Sequence, residues 1–463
     1  VKAQTVKAKK QIKQPEYWVL KTARYIFFGL LAYMPLHIFL STWIGTSFDI
    51  LSFAKVAKEF VLLFGFGLAL GMSIRKPWFK QLIRDKLVWL IVAFGLLHVL
   101  LILLRDTDQE AALLALAYNT RYLVFFLYAV LLAKMYGRGH LVKRSVQIVL
   151  ASATIVLLFG AVQYNVLPHN TLESFGYSRE SGVLPAFFID DKVDFPRVMS
   201  TVRDPNSYGS YLLIIIALAA TYLRVVRRVG SRYLLVGVLG LSVINLLATY
   251  SRSAWVGLAF VSVLLLSFWI KDSSRRQKLT REAKLVISSA LVGLIVISAG
   301  GLYAIRDSYA FQNIVFHADD STVLETPNQK RLRFWRESAA ATVENPVGHG
   351  PGTAGLPSIR NQEQGTVLNE NYYLQIAYEV GVAGFLLFIS ILAIIAIRLW
   401  RSARRNTIAV ALLASFVGLA ITNFLVHIWA NEAVAYTWWG LAGLVVVVGT
   451  KANHKKTAKK TTT

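Results

Sequence analysis

The chain has 463 residues, 55% of them hydrophobic and 16% charged, and a mean hydropathy of +0.51. This apolar character comes with a net charge of +25. Together these values leave little room for a soluble globular protein, and the lack of cysteine excludes disulfides, thiolate metal sites and a cysteine nucleophile.

The first 20 residues are polar and lysine-rich. They hold no apolar run closed by small residues, so no cleavable signal peptide is expected. Apolar runs of about 20 residues then recur along the chain, each long enough to cross a hydrocarbon core of about 30 Å. Backbone groups cannot face lipid unsatisfied, so these runs are predicted to be helices. About twelve spans fit, at 25–45, 56–73, 86–104, 115–134, 145–163, 207–223, 233–250, 253–270, 285–305, 372–397, 408–427 and 433–450. The expected fold is an all-α polytopic integral membrane protein. It divides into a basic N-terminal tail (1–24), spans one to nine with an outer loop near 164–206 (25–305), a large outer loop (306–371), spans ten to twelve (372–450) and a second basic tail (451–463).

With the N-terminus inside, most Lys and Arg fall in inner segments and most acids fall outside. The positive-inside rule therefore explains the basicity, and no nucleic-acid partner is expected. The tails are expected to be disordered and to touch anionic membrane lipid. Short inner loops such as "RKPWFKQLIRDK" and "KDSSRRQKLTREAK" read as topology determinants. The longer polar segments lie outside, and loops beyond about 15 residues are usually functional or disordered. The second outer loop contains an amphipathic stretch, "NQKRLRFWRESAAATVEN", expected to form a helix at the outer interface, followed by a Gly- and Pro-rich turn, "NPVGHGPGTAG". No inner segment is long enough to hold a nucleotide domain.

"ATYSRSAWVG" (248–257) places Arg252 in the outer turn between two apolar runs. Snorkelling to headgroups is one reading; an anion site is another, since the outer side disfavours basic residues. Arg121, after "AYNT", and Arg203, in "STVRDPNSYG", sit at comparable depth. Guanidinium groups at the outer ends of separate spans would converge on phosphate, for which their planar paired donors are suited. Pro205 biases Asp204 toward extended backbone, so Asn206 or Ser207 would cap span six.

"NENYYLQIAYEVGVAG" (369–384) opens span ten with Glu370 and Asn371 at the outer boundary. Glu370 fits either a helix-dipole partner or a general base. Glu379, two turns further in, is expected to be packed and hydrogen-bonded. In the large loop, Arg331, Arg333 and Arg336 cluster with Trp335, which would stack on a sugar; Arg333 reads as solvated surface. His349 reads as structural, and His37, His98 and His427 lack metal-ligand spacing, so no metal and no cofactor are expected. "GFGLALG" (65–71) lies within an apolar run and indicates close helix packing rather than a nucleotide loop.

Four pieces occur in a recognisable order: "DPNSYGSYLL", "TYSRSAWVG", "RLRFW" followed by "ENPVGHGPGTAG", and "ENYYLQIAYEVGVAG". In these motifs, and in having a large outer loop before span ten, the chain resembles the O-antigen ligase and Wzy-type O-antigen polymerase superfamily over roughly residues 110–450. The resemblance implies a metal-independent glycosyltransferase at the outer face of the bacterial plasma membrane. It would move a glycan from an undecaprenyl-pyrophosphate donor to the hydroxyl of a glycan or lipid-linked acceptor. On this reading Arg121, Arg203, Arg252 and Arg331 hold the donor pyrophosphate, with Arg252 stabilising the leaving group. Trp335, Arg336 and Asn371 contact the acceptor sugar. The family's ligases commonly show His-Asn where this chain has Glu370-Asn371, which leaves Glu370 as candidate base and leans toward a polymerase or a different acceptor. A transporter or flippase is the alternative; such proteins commonly show internal repeats and midplane charges, whereas the charges here gather at the outer ends of spans.

Overall fold

The computed structural model describes residues 14–189, 192–276, 327–361, 367 and 369–449. The expected ninth span at 285–305 and the tail at 451–463 lie outside the described residues.

The described chain is mostly helical. In order it forms α1 (Gln14–Tyr33), α2 (His37–Ser47), α3 (Leu51–Ile74), the short α4 (Phe79–Leu82), α5 (Lys86–Leu104), α6 (Gln109–Tyr136) and α7 (Arg138–Asn165). A two-stranded antiparallel ribbon follows, β1 (Phe187–Ile189) and β2 (Lys192–Arg197). Then come α8 (Pro205–Leu223), α9 (Val229–Ala248), α10 (Arg252–Arg276), α11 (Pro327–Glu344), α12 (Tyr372–Ala403), α13 (Thr407–Thr422) and α14 (Glu432–Val445).

Among the described residues nine helical segments are long and apolar enough to cross a membrane, with α1 and α2 counted as one, Glu16–Ser47. They overlap expected spans one to eight and ten, but the first begins earlier than 25–45: α1 already starts at Gln14, so residues 14–24, expected as part of a disordered tail, are helical. The eleventh corresponds to α13, which is apolar but shorter, and the twelfth to α14, of 14 residues. The chain is thus a polytopic all-α membrane protein, with the two-stranded ribbon as a small addition. The expected amphipathic stretch of the large loop is α11.

Burial ranks the helices. The apolar window of α8 is 83% buried against 22% for α10, so α8 lies centrally and α10 toward the periphery of the described bundle. Nothing competes hydrophobically between helices in lipid, so close backbone approach and packing must hold them together. Gly257 of α10 and Gly418 of α13 meet face to face; a Cβ on Gly418 would lie 2.9 Å from the carbonyl oxygen of Gly257. Gly443 of α14 would collide similarly with the Phe126 carbonyl of α6. Trp429, Trp438 and Trp439 are fully buried, and the Tyr122 ring packs 4.9 Å from Trp439. In "GFGLALG", Gly65 packs closely, its absent Cβ 2.5 Å from the Tyr128 hydroxyl, whereas Gly67 and Gly71 face open space.

The helix α12 is broken inside its membrane-crossing length. Gly381 takes φ 70°, ψ −175°, which cannot continue a helix and which only glycine adopts readily. The break frees carbonyls, and the turn 345–352 supplies the missing donors: the N–H of His349 reaches the Tyr378 carbonyl and that of Gly350 the Glu379 carbonyl, both at 2.9 Å, while the N–H of Val382 donates to the Pro346 carbonyl at 2.9 Å. A non-helical stretch at membrane depth is tolerated when its polar groups are satisfied within protein in this way. The turn read from "NPVGHGPGTAG" is therefore a backbone plug for α12.

Candidate functional site

The residues singled out from the sequence lie at one end of the bundle, where α8, α10, α12 and α14 begin and α9 and α13 end. Local chemistry fixes each entry. Asp204, extended at φ −158° ahead of Pro205, caps α8: its carboxylate accepts from the Ser207 N–H at 2.9 Å and from the Ser207 hydroxyl at 2.6 Å. The cap is therefore Asp204, not Asn206 or Ser207. The carboxylate reaches the first turn and already carries the charge that a helix N-terminus favours, whereas Asn206 turns its side-chain oxygen to Arg197 at 2.9 Å.

Arg252 is the first residue of α10, after a three-residue turn in which Tyr250 holds φ 49°. It is half-buried and engaged with its neighbours. The first turn of α8 packs on this corner: a Cβ at Gly209 would lie 2.8 Å from the Ala254 Cβ and 3.3 Å from that of Ser251. Arg203 and Arg252 thus stand at the entrances of two helices in direct contact. Arg197, which sequence reasoning passed over, ties the loop between α7 and α8 to the same corner, its Nε donating to the Thr249 carbonyl at 3.0 Å. A hydrogen bond to Tyr164, aided by burial, pushes the Tyr250 hydroxyl up to about 12.

Arg121 is turned inward. Its Nη1 lies 2.9 Å from Glu59 of α3 and 3.1 Å from Glu432 of α14, and its Nη2 donates to the Ala430 carbonyl at 2.6 Å. Lys58 adds contacts of 3.2 Å and 3.6 Å to the same two carboxylates. With 3% of its side chain exposed, Arg121 holds three helices together through Nη1 and Nη2, while its buried Nε finds no acceptor among the described residues. Arg203 borders this cluster. Burial opposes its charge, but Tyr118, Glu432 and Asp204 more than offset this and keep it protonated; the Tyr118 ring also stacks on Arg121 at 4.3 Å. Beside them, Arg203 and Lys55 donate to adjacent carbonyls of the loop between α7 and α8, at Gly182 and Ser181.

On the α12 side, Arg331 of α11 meets Glu370 at 2.8 Å. Glu370 is half-exposed and sits at φ 45°, a left-handed conformation uncommon for a residue with a side chain. Asn371 is 3% exposed and caps α12, its Oδ1 accepting from the N–H groups of Tyr373 and Leu374. Its oxygen is therefore committed to the helix rather than presented to a sugar. Trp335 is half-buried, and its indole Nε1 has no acceptor among the described residues. Arg336 is exposed on α11.

Beneath Glu370 lies a buried polar cluster. Glu379 accepts from the Gly352 N–H at 3.0 Å, from Asn119 Nδ2 at 3.0 Å and from Gln375 at 3.4 Å. His98 Nδ1 lies 2.9 Å from the Phe94 carbonyl and must donate there, so its Nε2 accepts from Asn119 at 3.2 Å. Tyr372 donates to Asn119 at 3.0 Å. Glu379 is packed and hydrogen-bonded as expected, and it clamps the turn 345–352 onto α6 and α12. Its partners come from distant parts of the chain, so only its place in an apolar run signalled the cluster.

Residues 237–389 match the family model Wzy_C, described as O-antigen ligase. The matched stretch runs from α9 into α12 and includes Arg252, Arg331 and Glu370. Comparison with curated proteins finds no match. The resemblance read from the sequence motifs therefore holds over this stretch, which is of the O-antigen ligase superfamily.

Proposed function

We propose, for a membrane protein that carries an O-antigen ligase segment, transfer of a glycan from an undecaprenyl-pyrophosphate-linked donor to an acceptor hydroxyl at the outer face of the bacterial plasma membrane. The observation that carries this reading is the corner where Arg203 and Arg252 open two helices in contact, within a matched family segment for the latter. In this reading both tails face the cytoplasm, twelve spans cross the membrane, and residues 306–371 form the outer loop.

The donor's isoprenoid tail stays in lipid, and its pyrophosphate meets Arg252 and Arg203. Negative charge grows on that leaving group as the anomeric bond breaks. Fixed cations then stabilise the transition state more than the ground state. Such a leaving group calls for no metal, and the glycan donor supplies the energy. Arg121 is a positioning residue here: it fixes Glu432 and Tyr118, which surround Arg203. Lys55 and Arg203 donate to loop carbonyls in this structure, and phosphate oxygens would replace those carbonyls.

Glu370 is the candidate base. Arg331 occupies that carboxylate in this structure, so Arg331 has two tasks. When pyrophosphate draws Arg331 away, Glu370 is released to accept the acceptor's proton. Trp335, with its unanswered N–H, would stack on and hydrogen-bond an acceptor sugar, and Arg336 would reach the same sugar from the exposed side of α11. Asn371 shapes this site through the α12 cap. A carboxylate at the position of the ligases' histidine favours a polymerase. The test is incubation of purified protein with defined lipid-linked oligosaccharides and mass analysis of the products; elongated lipid-linked glycan supports the polymerase reading, and intact donor with every acceptor overturns the enzyme reading. A transporter would move such a donor unchanged.

A further inference from the structure

At the rim opposite the candidate site, α8 and α10 end, α12 ends, and α13 begins. Between them lies a cavity of about 230 Å³ whose wall includes Arg224, Lys271, Arg404 and Arg405. No acid lines it. Topology alone asks only that cations lie toward one side; it does not ask four of them, from the ends of α8, α10 and α12, to share one cavity. The N-terminus of α13 opens into the same space through Asn406 and Thr407. Asn406 caps it by accepting from the Ile408 N–H at 3.0 Å, and a 16-residue helix presents its positive end there.

The remaining wall is aromatic and apolar. Phe268 packs edge-on against Trp400 at 5.5 Å, Trp269 lies 5.5 Å from the Arg224 guanidinium, and Val225 and Val410 complete it. Tryptophan at the end of a span marks headgroup depth. A more open depression continues from Arg224 and Trp269 toward Arg227 and Arg232. The lining is thus cationic toward water and apolar toward lipid, the complement of an amphiphile with an anionic head.

We propose that this cavity binds a phosphate-bearing anion, and that its resident is an anionic phospholipid whose phosphodiester lies among Arg224, Lys271, Arg404 and Arg405. Basic recesses between spans are suited to such headgroups. Its acyl chains run along Phe268, Val225 and Val410. The site is separate from the glycan-transfer corner and stands or falls without it.

The test uses the full chain in nanodiscs of phosphatidylcholine, of phosphatidylcholine with a minor share of phosphatidylglycerol, and of phosphatidylcholine with inorganic phosphate in the buffer. Native mass analysis counts retained phosphatidylglycerol, and thermal melting reports stabilisation. R404Q/R405Q is compared with K143Q/R144Q, which removes equal charge from the same rim away from the cavity. Retention of phosphatidylglycerol should fall about tenfold in the first pair and little in the second. A melting shift by inorganic phosphate in wild type that R404Q/R405Q abolishes identifies a soluble phosphate as the source and supports the site. Equal losses in both pairs mean diffuse surface charge and overturn the proposal, as does lack of binding in both arms. If R404Q/R405Q fails to fold, R224Q/K271Q reads the same cavity from α8 and α10.

Discussion

Arg331 meets Glu370 at 2.8 Å, and Glu370 makes that contact from a left-handed backbone at φ 45°. Such a conformation costs on the order of 1 kcal/mol for a residue with a side chain. The neighbouring Asn371 cap and the Asn369 side chain, which donates to Ser338 at 2.8 Å, fix the backbone on both sides. The carboxylate is thereby aimed at α11.

Glu370→Gln keeps the shape and removes the basic oxygen. Transfer should fall by about 10²–10⁴-fold, the usual worth of a general base, with melting temperature nearly unchanged because the pair is partly exposed. A steady-state assay with lipid-linked donor measures this; unchanged turnover removes Glu370 from the chemistry. Glu370→Gly should raise stability slightly, by relief of the φ 45° backbone, while losing the same activity.

Gly381→Ala should damage the fold itself. Its φ is 70°, and a Cβ there would sit 2.4 Å from the Pro346 carbonyl oxygen. Both the break in α12 and the seated turn 345–352 would have to move, at a cost of roughly 3 kcal/mol or more. Fluorescence-detected size exclusion after heating would show a clear drop in melting temperature. A variant as stable as wild type would mean that the turn does not stabilise the break.

Much of this architecture is legible in the sequence because lipid enforces it. Apolar length dictates spans. The amphipathic pattern at 328–345 gave α11. Glu379 in an apolar run announced a satisfied buried acid. The break at Gly381 was hidden, because a glycine in a membrane span ordinarily means close packing. Its cause lies in the turn at 345–352, which reads in isolation as a loop. Arg121 was misleading for the same reason. Depth made it look like a ligand-facing cation, but Glu59 and Glu432, brought from α3 and α14, take its Nη1 and the Ala430 carbonyl takes its Nη2. Lys58 and Glu59 side by side near the start of a span were the available signal.

Arg121 and Arg203 should therefore behave differently. Arg121→Met leaves Glu59 and Glu432 buried without their main partner, which should cost about 3–5 kcal/mol and appear as poor expression or low melting temperature. Arg203→Gln should leave the protein folded and weaken its use of the donor, seen as a raised KM. If instead Arg121→Met melts like wild type and only loses donor affinity, its side chain serves the substrate directly.

The opposite rim carries a pH-sensitive clasp. Asp85 accepts from Arg398 at 2.6 Å and 3.1 Å and from the Gly449 N–H at 2.7 Å. Burial pushes its carboxyl up, but Arg398 and the Gly449 and Leu87 N–H groups outweigh that and hold it below the usual carboxylate range. A depressed folded value means that the stabilisation is complete above the unfolded value of about 3.9 and is lost as pH falls through the folded value. Asp85→Asn should cost roughly 2 kcal/mol near neutral pH. Melting curves from about pH 5 down to pH 3 should fall more steeply for wild type than for the variant; parallel curves would remove the clasp as a source of acid sensitivity.

The most direct measurement is glycan transfer by purified Arg252→Ala protein in lipid, with a defined undecaprenyl-pyrophosphate oligosaccharide as donor. The account predicts insertion and elution like wild type with transfer reduced by about 10²-fold or more, the scale on which a single fixed donor to a developing anion contributes. Wild-type turnover in that variant would contradict it.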